Sequence, residues 1–426
     1  MADHSSIEWT DATWTPIRAR YLEIQNDGSG KERIGWHCEH ASEGCRFCYA
    51  EGFNRRLGTG LDFKPGELYR EEKRGYNNGE VKLFLDEEML TAPLRWKKPR
   101  MIFVCSMTDL FAEFVPDEWI DKVFAIMALS PQHTFQVLTK RANRMRDYMA
   151  KPLTGPWAGR ATIVGDDGIE RPDTDAHWRV RSIQTDMLGS VPGDALNKAS
   201  AFNDKLYGGE VDGFMPTWPL PNVWLGVSAE RQQEADQRVP ELLATPAAVR
   251  FVSAEPLLGP IDFKKVKTQD ISDPLDALRG EGYCDINHGQ YAGQRLYHGL
   301  KYGCGRGLDW IIVGGESGPS ARPMHPAWAR LTRDQCAAAG VPFFFKQWGG
   351  WADSSDADDY VAGTEDFIFA PDGTVLGAGG RVGRRMNGMV EPDWRAKGGA
   401  WMTRTTKKAA GRLLDGIEHN AMPEAR

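Results

Sequence analysis

The sequence predicts an α/β fold built around a parallel sheet. Short apolar runs rich in β-branched and aromatic residues each end abruptly in a polar cluster, which is typical of strands buried on both faces. Helix-like stretches lie between these runs, and most successive strands start about 30 residues apart, the length of one βαβ step. Such alternation implies right-handed crossovers between parallel neighbours.

The elements follow one another regularly. The predicted strands are Met101–Cys105, Thr134–Leu138, Val223–Val227, Arg250–Val252, Trp310–Val313 and Pro342–Phe345. The predicted helices are Pro116–Leu129, Glu230–Ala244 and Ala327–Ala339. A helix-start signal opens the first of these helices, and Gly340 stops the last. Polar or glycine clusters at all the strand ends favour a ligand site there, although any one cluster is an ordinary turn.

Two insertions and a C-terminal extension complete the predicted organisation. The insertions, at about residues 151–219 and 263–307, are rich in Gly, Pro, Asp and Asn, and we interpret them as loops or small lids. The strand-rich domain spans residues 1–350 and the extension spans 351–426. Within the extension we expect a hairpin near Phe367–Val375 and a terminal helix over Thr403–Gly416.

Composition excludes several classes of protein. In 426 residues, 41% hydrophobic, there is no apolar run near the roughly 18 residues of a membrane span, so no membrane partner is expected. The N-terminus lacks the basic and apolar regions of a secretory signal, and a cytoplasmic protein is therefore expected. The net charge of −7 gives no overall basic field for nucleic acid. Seven cysteines, three of them within eleven residues, indicate a metal site rather than disulfides.

The cysteine cluster has the spacing C-x6-C-x2-C and precedes helix-forming residues. Its members are Cys38, Cys45 and Cys48. Three thiolates in such a loop hold three irons of a [4Fe–4S] cluster and leave the fourth iron open to a ligand. The alternative is structural zinc, with His37 or His40 as the fourth ligand.

An ordered set of motifs carries a family resemblance. The motifs are Trp14-Thr-Pro, the cysteine cluster with Tyr49-Ala-Glu, Phe103–Phe111, Val137–Arg141, Asn222–Ser228, Ser253–Gly259, Val313–Gly318 and Phe345–Gly349. With Phe47 before the last cysteine, the chain resembles the radical S-adenosylmethionine (SAM) superfamily. It is more closely similar to the phage "gene product 37/gene product 68" family. The resemblance covers most of residues 5–350 and the tail Lys407–Gly416, but not the two insertions.

This resemblance implies a fold and a reaction. The fold would be a partial (β/α)6 TIM-like barrel of the radical SAM type. SAM would bind the open iron of a [4Fe–4S] cluster, and reductive cleavage would give a 5′-deoxyadenosyl radical that takes hydrogen from a substrate. A reductant protein such as flavodoxin or ferredoxin would supply the electron. A phage-encoded protein would work in the host cytoplasm.

Strand ends offer the candidates for binding SAM. In the superfamily a Gly-Gly-Glu early in the chain holds the SAM amino group, whereas here Gly314-Gly315-Glu316 ends a late strand. Ser106 and Asp109 are by position the better candidates for that amino group. The late glycines present backbone N–H groups to a carboxylate, ribose or phosphate, or form a tight turn.

Further candidates follow from neighbouring positions. Ribose hydroxyls would be held at adjacent strand ends by Ser228, Glu230 and Glu255, unless these carboxylates pair with Lys140 and Arg141. A basic run, Lys140–Arg146, would contact phosphate or the SAM carboxylate, or forms a solvated helix face.

Two more residues are candidates for catalysis together with Lys140. Cys105 would return a hydrogen atom to a substrate radical, or is a plain buried thiol. Lys346 follows three phenylalanines and needs a charged partner if it is buried.

Other functions compete with the radical enzyme. One is a zinc-binding nucleic-acid or partner-binding module without radical chemistry, and another is a hydrolase with Glu230 and Glu255 as paired carboxylates. A second zinc site is conceivable within the later insertion, formed by Cys284, His288, His298 and Cys304. For the radical enzyme, a nucleotide or nucleic-acid base is the expected substrate class, since many tryptophans are present for stacking.

Overall fold

A computed structural model describes residues 5–63, 81–153, 162–164, 170–188, 218–268, 274–281, 283–285, 295–297, 306–355, 365–379 and 393–424. Its strands are β1 (Ala12–Trp14), β2 (Ile17–Ile24), β3 (Gly30–Gly35), β4 (Lys82–Leu85), β5 (Met101–Val104), β6 (Thr134–Thr139), β7 (Thr162–Val164), β8 (Glu170–Pro172), β9 (Val223–Ser228), β10 (Val249–Ala254), β11 (Tyr283–Asp285), β12 (Arg295–Tyr297), β13 (Trp310–Gly314), β14 (Phe343–Gln347), β15 (Trp351–Asp353), β16 (Asp366–Phe369), β17 (Val375–Gly379) and β18 (Ala400–Arg404). Its helices are α1 (Tyr49–Leu57), α2 (Glu87–Leu90), α3 (Ala92–Arg95), α4 (Asp117–Ala128), α5 (Ala142–Ala150), α6 (Asp175–Leu188), α7 (Gln232–Leu243), α8 (Pro326–Ala339) and α9 (Lys407–Ala410).

The central sheet is parallel and has the strand order β1-β5-β6-β9-β10-β13-β14. Every predicted strand is present, and the α/β class is confirmed. Each residue of β9, β10 and β13 is buried, as the unbroken apolar runs predict. The finer expectation, a partial (β/α)6 barrel of the radical SAM type, stays a prediction.

The edge strand β1 was not predicted. It is three residues long and ends just before Thr15 and Pro16, so its pattern is too short to identify. Its pairing with β5 aligns Ala12 with Ile102. Burial of Trp14 in this short strand adds a large aromatic side chain to the core.

The predicted helices lie within a few residues of their expected ends. Pro116 caps α4 in an extended conformation, and the helix begins at the next residue. Gly340 ends α8 in the left-handed region, with φ of 71°. That conformation suits glycine because it has no Cβ, so the stop signal works as predicted.

A three-stranded antiparallel sheet of order β3-β2-β4 was not predicted from the sequence either. Along β2 the side chains alternate, with Ala19 and Tyr21 buried and Leu22 exposed. This alternation is typical of a half-buried strand, but arginines at Arg18 and Arg20 obscured it in the sequence.

The C-terminal extension contains a four-stranded sheet of order β15-β18-β16-β17. Strands β16 and β17 pair antiparallel, so the predicted hairpin is present. The predicted terminal helix over Thr403–Gly416 is wrong in length. Thr403 belongs to β18, and only α9 is helical, because Gly411 with φ of 72° and ψ of −163° leaves the helical region.

The described residues form two compact units. The first contains the residues up to Gly226 and the segment Ala244–Val249. The second contains Val227–Leu243 and the residues from Arg250 onward. The cysteine loop belongs to the first unit, and the late strand ends belong to the second.

Parts of the insertions lie outside the described residues. The predicted second zinc site cannot be placed, since His288, His298 and Cys304 fall in those parts, as does the side chain of Cys284. Among the described residues, no helix is both long and apolar enough to cross a membrane.

His133 gives the first unit a pH-dependent stability. The imidazole is buried, and burial lowers its pKa to about 4, helped by the charge of Arg100, although its contact with the Pro93 carbonyl opposes this. Since the unfolded histidine titrates near 6.5, the unfolded state binds the proton first. Stability is therefore complete above about pH 6.5 and falls as the pH drops toward 4, by up to about 3 kcal/mol.

We expect His133→Gln to flatten this dependence. Urea unfolding at pH 7.0, 5.5 and 4.5 should show a smaller loss of stability for the variant than for the wild type. Equal losses of stability in the variant and the wild type would show that other histidines take up the protons.

Candidate functional site

The loop that carries the three cysteines is fastened to the carboxyl ends of β5 and β6. Thr108, just after β5, donates its hydroxyl to the His37 carbonyl at 2.6 Å. Arg141, just after β6, donates from Nη2 to the Glu39 carbonyl at 2.9 Å. Tyr49 donates its hydroxyl to the Ser106 carbonyl at 2.8 Å. The chain thus brings its cysteine loop to the edge of the parallel sheet where ligands usually bind.

Helix α1 closes the loop on its other side. A single 3-10 turn, Glu43–Cys45, precedes the helix, and Cys48 is its N-cap residue. Within the helix Asn54 is fully buried, and its Oδ1 accepts from the backbone N–H groups of Trp36 and Thr59 at 3.0 and 3.1 Å. The helix therefore holds the strand that enters the loop.

The thiols are partly or fully buried and influence one another. Burial raises the pKa of Cys38, and the charges of Asp109 and of the other two cysteines raise it further, while Arg141 lowers it. Burial also raises the pKa of Cys48, opposed by backbone N–H groups of Glu51 and Ala50 and by Lys140.

Cys45 has a donor of its own. The Ala41 N–H points to the Cys45 sulfur at 3.5 Å. Backbone donors and nearby cations are the groups that stabilise thiolate ligands of a metal.

Asp109 is the centre of a buried ion-pair network beside the loop. Its carboxylate pairs with Arg141 at 3.2 Å and accepts the Thr139 hydroxyl at 2.7 Å. The backbone N–H groups of Phe111 and Lys140 also donate to it, at 3.0 and 2.9 Å. Four donors from this chain therefore hold the carboxylate that was predicted to bind the SAM amino group.

Cys105 follows β5 in an unusual backbone conformation. Its φ of 54° lies in the left-handed region, and its N–H donates to the Trp14 carbonyl at 2.7 Å. The thiol is buried, which raises its pKa, and the charges of Asp109 and Cys38 raise it further. Its predicted neighbour Ser106 is partly exposed, and only the backbone carbonyl of that serine has a described contact.

The basic run after β6 is largely engaged within the protein. Arg141 holds the loop, and Arg144 bonds to the Ala112 and Val115 carbonyls and to Asp117. Arg146 pairs with the adjacent Asp147 at 2.7 Å. These guanidinium groups have partners within the protein, so the run is not simply the solvated helix face of the alternative interpretation.

In the second unit, Ser228 and Glu230 follow β9. Glu230 is fully buried and pairs with Arg238 at 3.2 Å. Arg238 also donates to the Ser228 carbonyl at 2.8 Å. The arginine from α7 therefore ties the polar end of β9 to its own helix.

Glu255 and Lys346 form an ion pair at 3.0 Å, and both side chains are mostly buried. Glu255 follows β10 and Lys346 lies in β14, and these two strands flank β13 in the sheet. A Cβ at Gly314, in β13, would lie 2.4 Å from Glu255 Oε1. The glycine thus leaves room for a carboxylate, whose other oxygen accepts from Ser253 at 3.3 Å. Lys346 has the charged partner that its apolar setting requires.

Glu316 and the neighbouring Gly315 both make close contacts with nearby residues of the second unit. Both carboxylate oxygens of Glu316 accept from the Arg322 guanidinium at 2.8 and 2.9 Å, and the Arg322 N–H donates as well. A Cβ at Gly315 would approach the Trp348 carbonyl to 2.0 Å. Close packing of the β13 and β14 ends therefore explains this glycine without a ligand.

We expect Gly314→Ala to lower the free energy of unfolding by about 1–3 kcal/mol, because the new methyl group must displace Glu255 from Lys346. Gly52→Ala is the control. That glycine lies inside α1, and no heavy atom comes within 4 Å of the position that a methyl group would take, so we expect about 0.5–1 kcal/mol of stabilisation. Urea unfolding measures both, and equal effects would contradict the packing argument.

The cysteine loop supplies the ligand types of an iron–sulfur cluster, but its described side chains do not form a ready metal site. Among the described residues, no group of three or more His, Cys, Asp or Glu side chains is close enough to hold a metal ion as it stands. Three soft thiols on one anchored loop, with N–H donors and two cations beside them, are nevertheless the groups that ligate such clusters.

Sequence reasoning considered His37 only as an alternative zinc ligand, and it missed the roles of His37 and Thr108 in anchoring the loop. His37 is buried between Phe63 and Phe114, its Nε2 has no hydrogen-bond partner among the described residues, and burial lowers its pKa to about 4. Thr108 lies inside a motif but had no assigned role. In both cases the only signal was proximity to a candidate residue.

The chain belongs to a family described as a protein of unknown function (DUF5131), whose profile matches residues 33–423. No curated protein and no solved structure matches the chain. The assignment to the radical SAM superfamily and its phage family is therefore wrong, since this is the family that the chain matches and no radical SAM family does.

Proposed function

We propose that this chain is an iron–sulfur enzyme in which Cys38, Cys45 and Cys48 hold a [4Fe–4S] cluster, and that it cleaves SAM reductively. One observation carries the proposal: the cysteine loop is fastened by Thr108 and Arg141 to the carboxyl ends of parallel strands. Ligands of parallel α/β folds bind at that edge. The proposal rests on this site and not on family membership.

Three protein thiols leave one iron of such a cluster without a protein ligand. A cluster held by Cys38, Cys45 and Cys48 would supply the electron for reductive cleavage of SAM, and so the radical chemistry of the proposal. A nucleotide or nucleic-acid base is the substrate class that we attach to this proposal, and a protein such as flavodoxin or ferredoxin is the electron donor.

The residues around the loop have definite tasks in this proposal. Arg141 and Lys140 offset the negative charge of three thiolates, and the Ala41 N–H donates to one sulfur. Asp109 binds Nη1 of Arg141 and so orients the guanidinium, whose Nη2 donates to the Glu39 carbonyl of the loop. Burial of Cys45 keeps water from the sulfur.

Anaerobic reconstitution with iron and sulfide tests the proposal. The expected product is a brown protein with about four irons per chain, which forms 5′-deoxyadenosine and methionine from SAM after reduction with dithionite. A fully loaded protein that leaves SAM intact would reject SAM cleavage. A colourless protein with one zinc per chain would instead favour the zinc-binding module.

A further inference from the structure

A contiguous apolar surface in the first unit flanks the cysteine loop. Six side chains define this N-terminal apolar face: Leu22, Ile24 and Ile34 on the sheet, and Tyr49, Phe53 and Leu57 on α1. Between 38% and 66% of each is exposed. The helix residues recur at every fourth position and so form one stripe.

Ring contacts join the sheet part to the helix part. Trp36, one residue beyond β3, lies 5.8 Å from Phe53 between ring centroids. The Arg18 guanidinium covers the Trp36 ring at 4.8 Å. Leu22 and Ile34 lie on the same side of the sheet as Arg20, which pairs with Ile34 across the strands. One continuous surface therefore runs from β2 to the end of α1.

The polar groups of this surface are mostly basic. Arg20 stands directly opposite Lys82 in the antiparallel pairing, and like charges at such positions repel. Arg56 adds a third cation, whereas the carboxylate described on this side of the sheet is Glu32, which lies 3.7 Å from Arg20. In a chain of net charge −7, this local excess of positive charge is complementary to an acidic partner.

We propose that the N-terminal apolar face docks an acidic electron-carrier protein, which reduces the cluster of the proposed function; the electron-delivery part of this inference rests on that function. One electron passes from the carrier to the cluster. The carrier is oxidised, the cluster is reduced, and no bond or proton changes. Since α1 begins at the residue after Cys48, a protein bound on this helix lies beside the loop.

The observations favour a protein over a nucleic acid. Bases stack on open aromatic faces, whereas four of the six residues of this face are aliphatic, and Arg56 lies over the Phe53 ring at 5.9 Å. Exposed aliphatic side chains such as Leu22 gain most from contact with another apolar protein surface.

Binding of a purified flavodoxin with net negative charge tests the surface. We compare the wild type with Arg56→Glu/Lys82→Glu and with Phe53→Ser/Leu57→Ser, using calorimetry on protein with and without the reconstituted cluster. The control is Lys264→Glu/Lys408→Glu, which reverses two exposed charges in the second unit. Both face variants should bind at least about tenfold more weakly than the control, and the charge variant should lose most of the salt dependence.

Reduction rates provide the second readout. With flavodoxin below saturation, both variants should slow cluster reduction about tenfold, whereas dithionite should reduce every variant at the wild-type rate. Equal slowing with both reductants would overturn the proposal, as would unchanged binding in the face variants. Loss of single-stranded DNA binding without loss of flavodoxin binding would assign the face to nucleic acid and overturn it too.

The design separates the two proposals. If flavodoxin binds through this face but the wild type assembles no cluster, the proposed function and the electron-delivery step fail and only the docking surface stands. If the wild type cleaves SAM with dithionite but flavodoxin binds both face variants as tightly as the wild type, the docking proposal fails and the function stands.

Discussion

Cys45→Ala assembles no iron–sulfur cluster and keeps its helix and strand content: this is the expected result with the largest effect on activity. Cys45 is the buried member of the three proposed ligands, so its loss leaves two partly exposed thiols, too few to retain the proposed cluster. The sheet core does not depend on the loop, because β5 and β6 pair with each other through their backbones.

Iron and sulfide content after anaerobic reconstitution measures the first half of this prediction, and far-ultraviolet circular dichroism measures the second. SAM cleavage should fall to background. The control is Cys336→Ala, which removes a buried thiol on α8 whose pKa burial raises to about 12, and it should load iron like the wild type. Unfolding of Cys45→Ala would instead indicate structural zinc, whose binding energy is folding energy.

Most of the parallel sheet was predictable because its strands are buried on both faces. A run such as Val223–Val227 shows this directly in its composition. The antiparallel sheet was not predictable in the same way, since β2 places arginines among its outward residues. Edge strand β1 is too short to carry a periodic signal, although Trp14 is fully buried.

The candidate site was predictable in its positions but not in its pairings. Strand ends pointed to Asp109, Glu255 and Glu316, yet nothing local showed that each faces its own cation. The partner of Asp109 comes from the next strand, and that of Glu255 crosses over Gly314. Such pairings depend on sheet order and on close approach, which a single sequence does not specify.

The predicted terminal helix stops short because of Gly411 and because of a contact that the chain makes beyond it. The segment Lys407–Leu414 has helical composition, but Gly411 takes a conformation outside the helical region, and the chain turns there. Beyond it, the Phe345 N–H donates to the His419 carbonyl at 2.9 Å. Tertiary contact thus outweighs the helix propensity of this segment.

The largest expected effect on stability belongs to Asp109→Ala. The substitution leaves the Arg141 guanidinium, 10% exposed, with only the exposed Glu113 carboxylate at 3.6 Å. It also leaves the Thr139 hydroxyl and two backbone N–H groups without this acceptor. Removing one partner of a buried pair costs about 3–5 kcal/mol. Urea unfolding of the protein without its cluster should show a loss in that range.

Asp147→Ala is the matched control, because Asp147 also pairs with an arginine at 2.7 Å but is 67% exposed. Exposed pairs contribute about 0–1 kcal/mol, so this variant should stay close to the wild type. If the two variants lose equal stability, the Asp109 network is no stronger than a surface contact.

A double variant then identifies the physical cause of the loss. In Asp109→Ala/Arg141→Met the guanidinium is gone, so the cost of a buried charge that only the exposed Glu113 offsets disappears. We therefore expect the double variant to be more stable than Asp109→Ala alone, by about 1–2 kcal/mol. Arg141 also holds the Glu39 carbonyl, so the same double variant should release the cysteine loop. Cys38 should therefore react faster with a thiol reagent in the double variant than in Asp109→Ala, although the double variant is globally more stable. That combination would show that Asp109 stabilises the fold by offsetting the charge of Arg141. It would also show that Arg141 itself positions the loop.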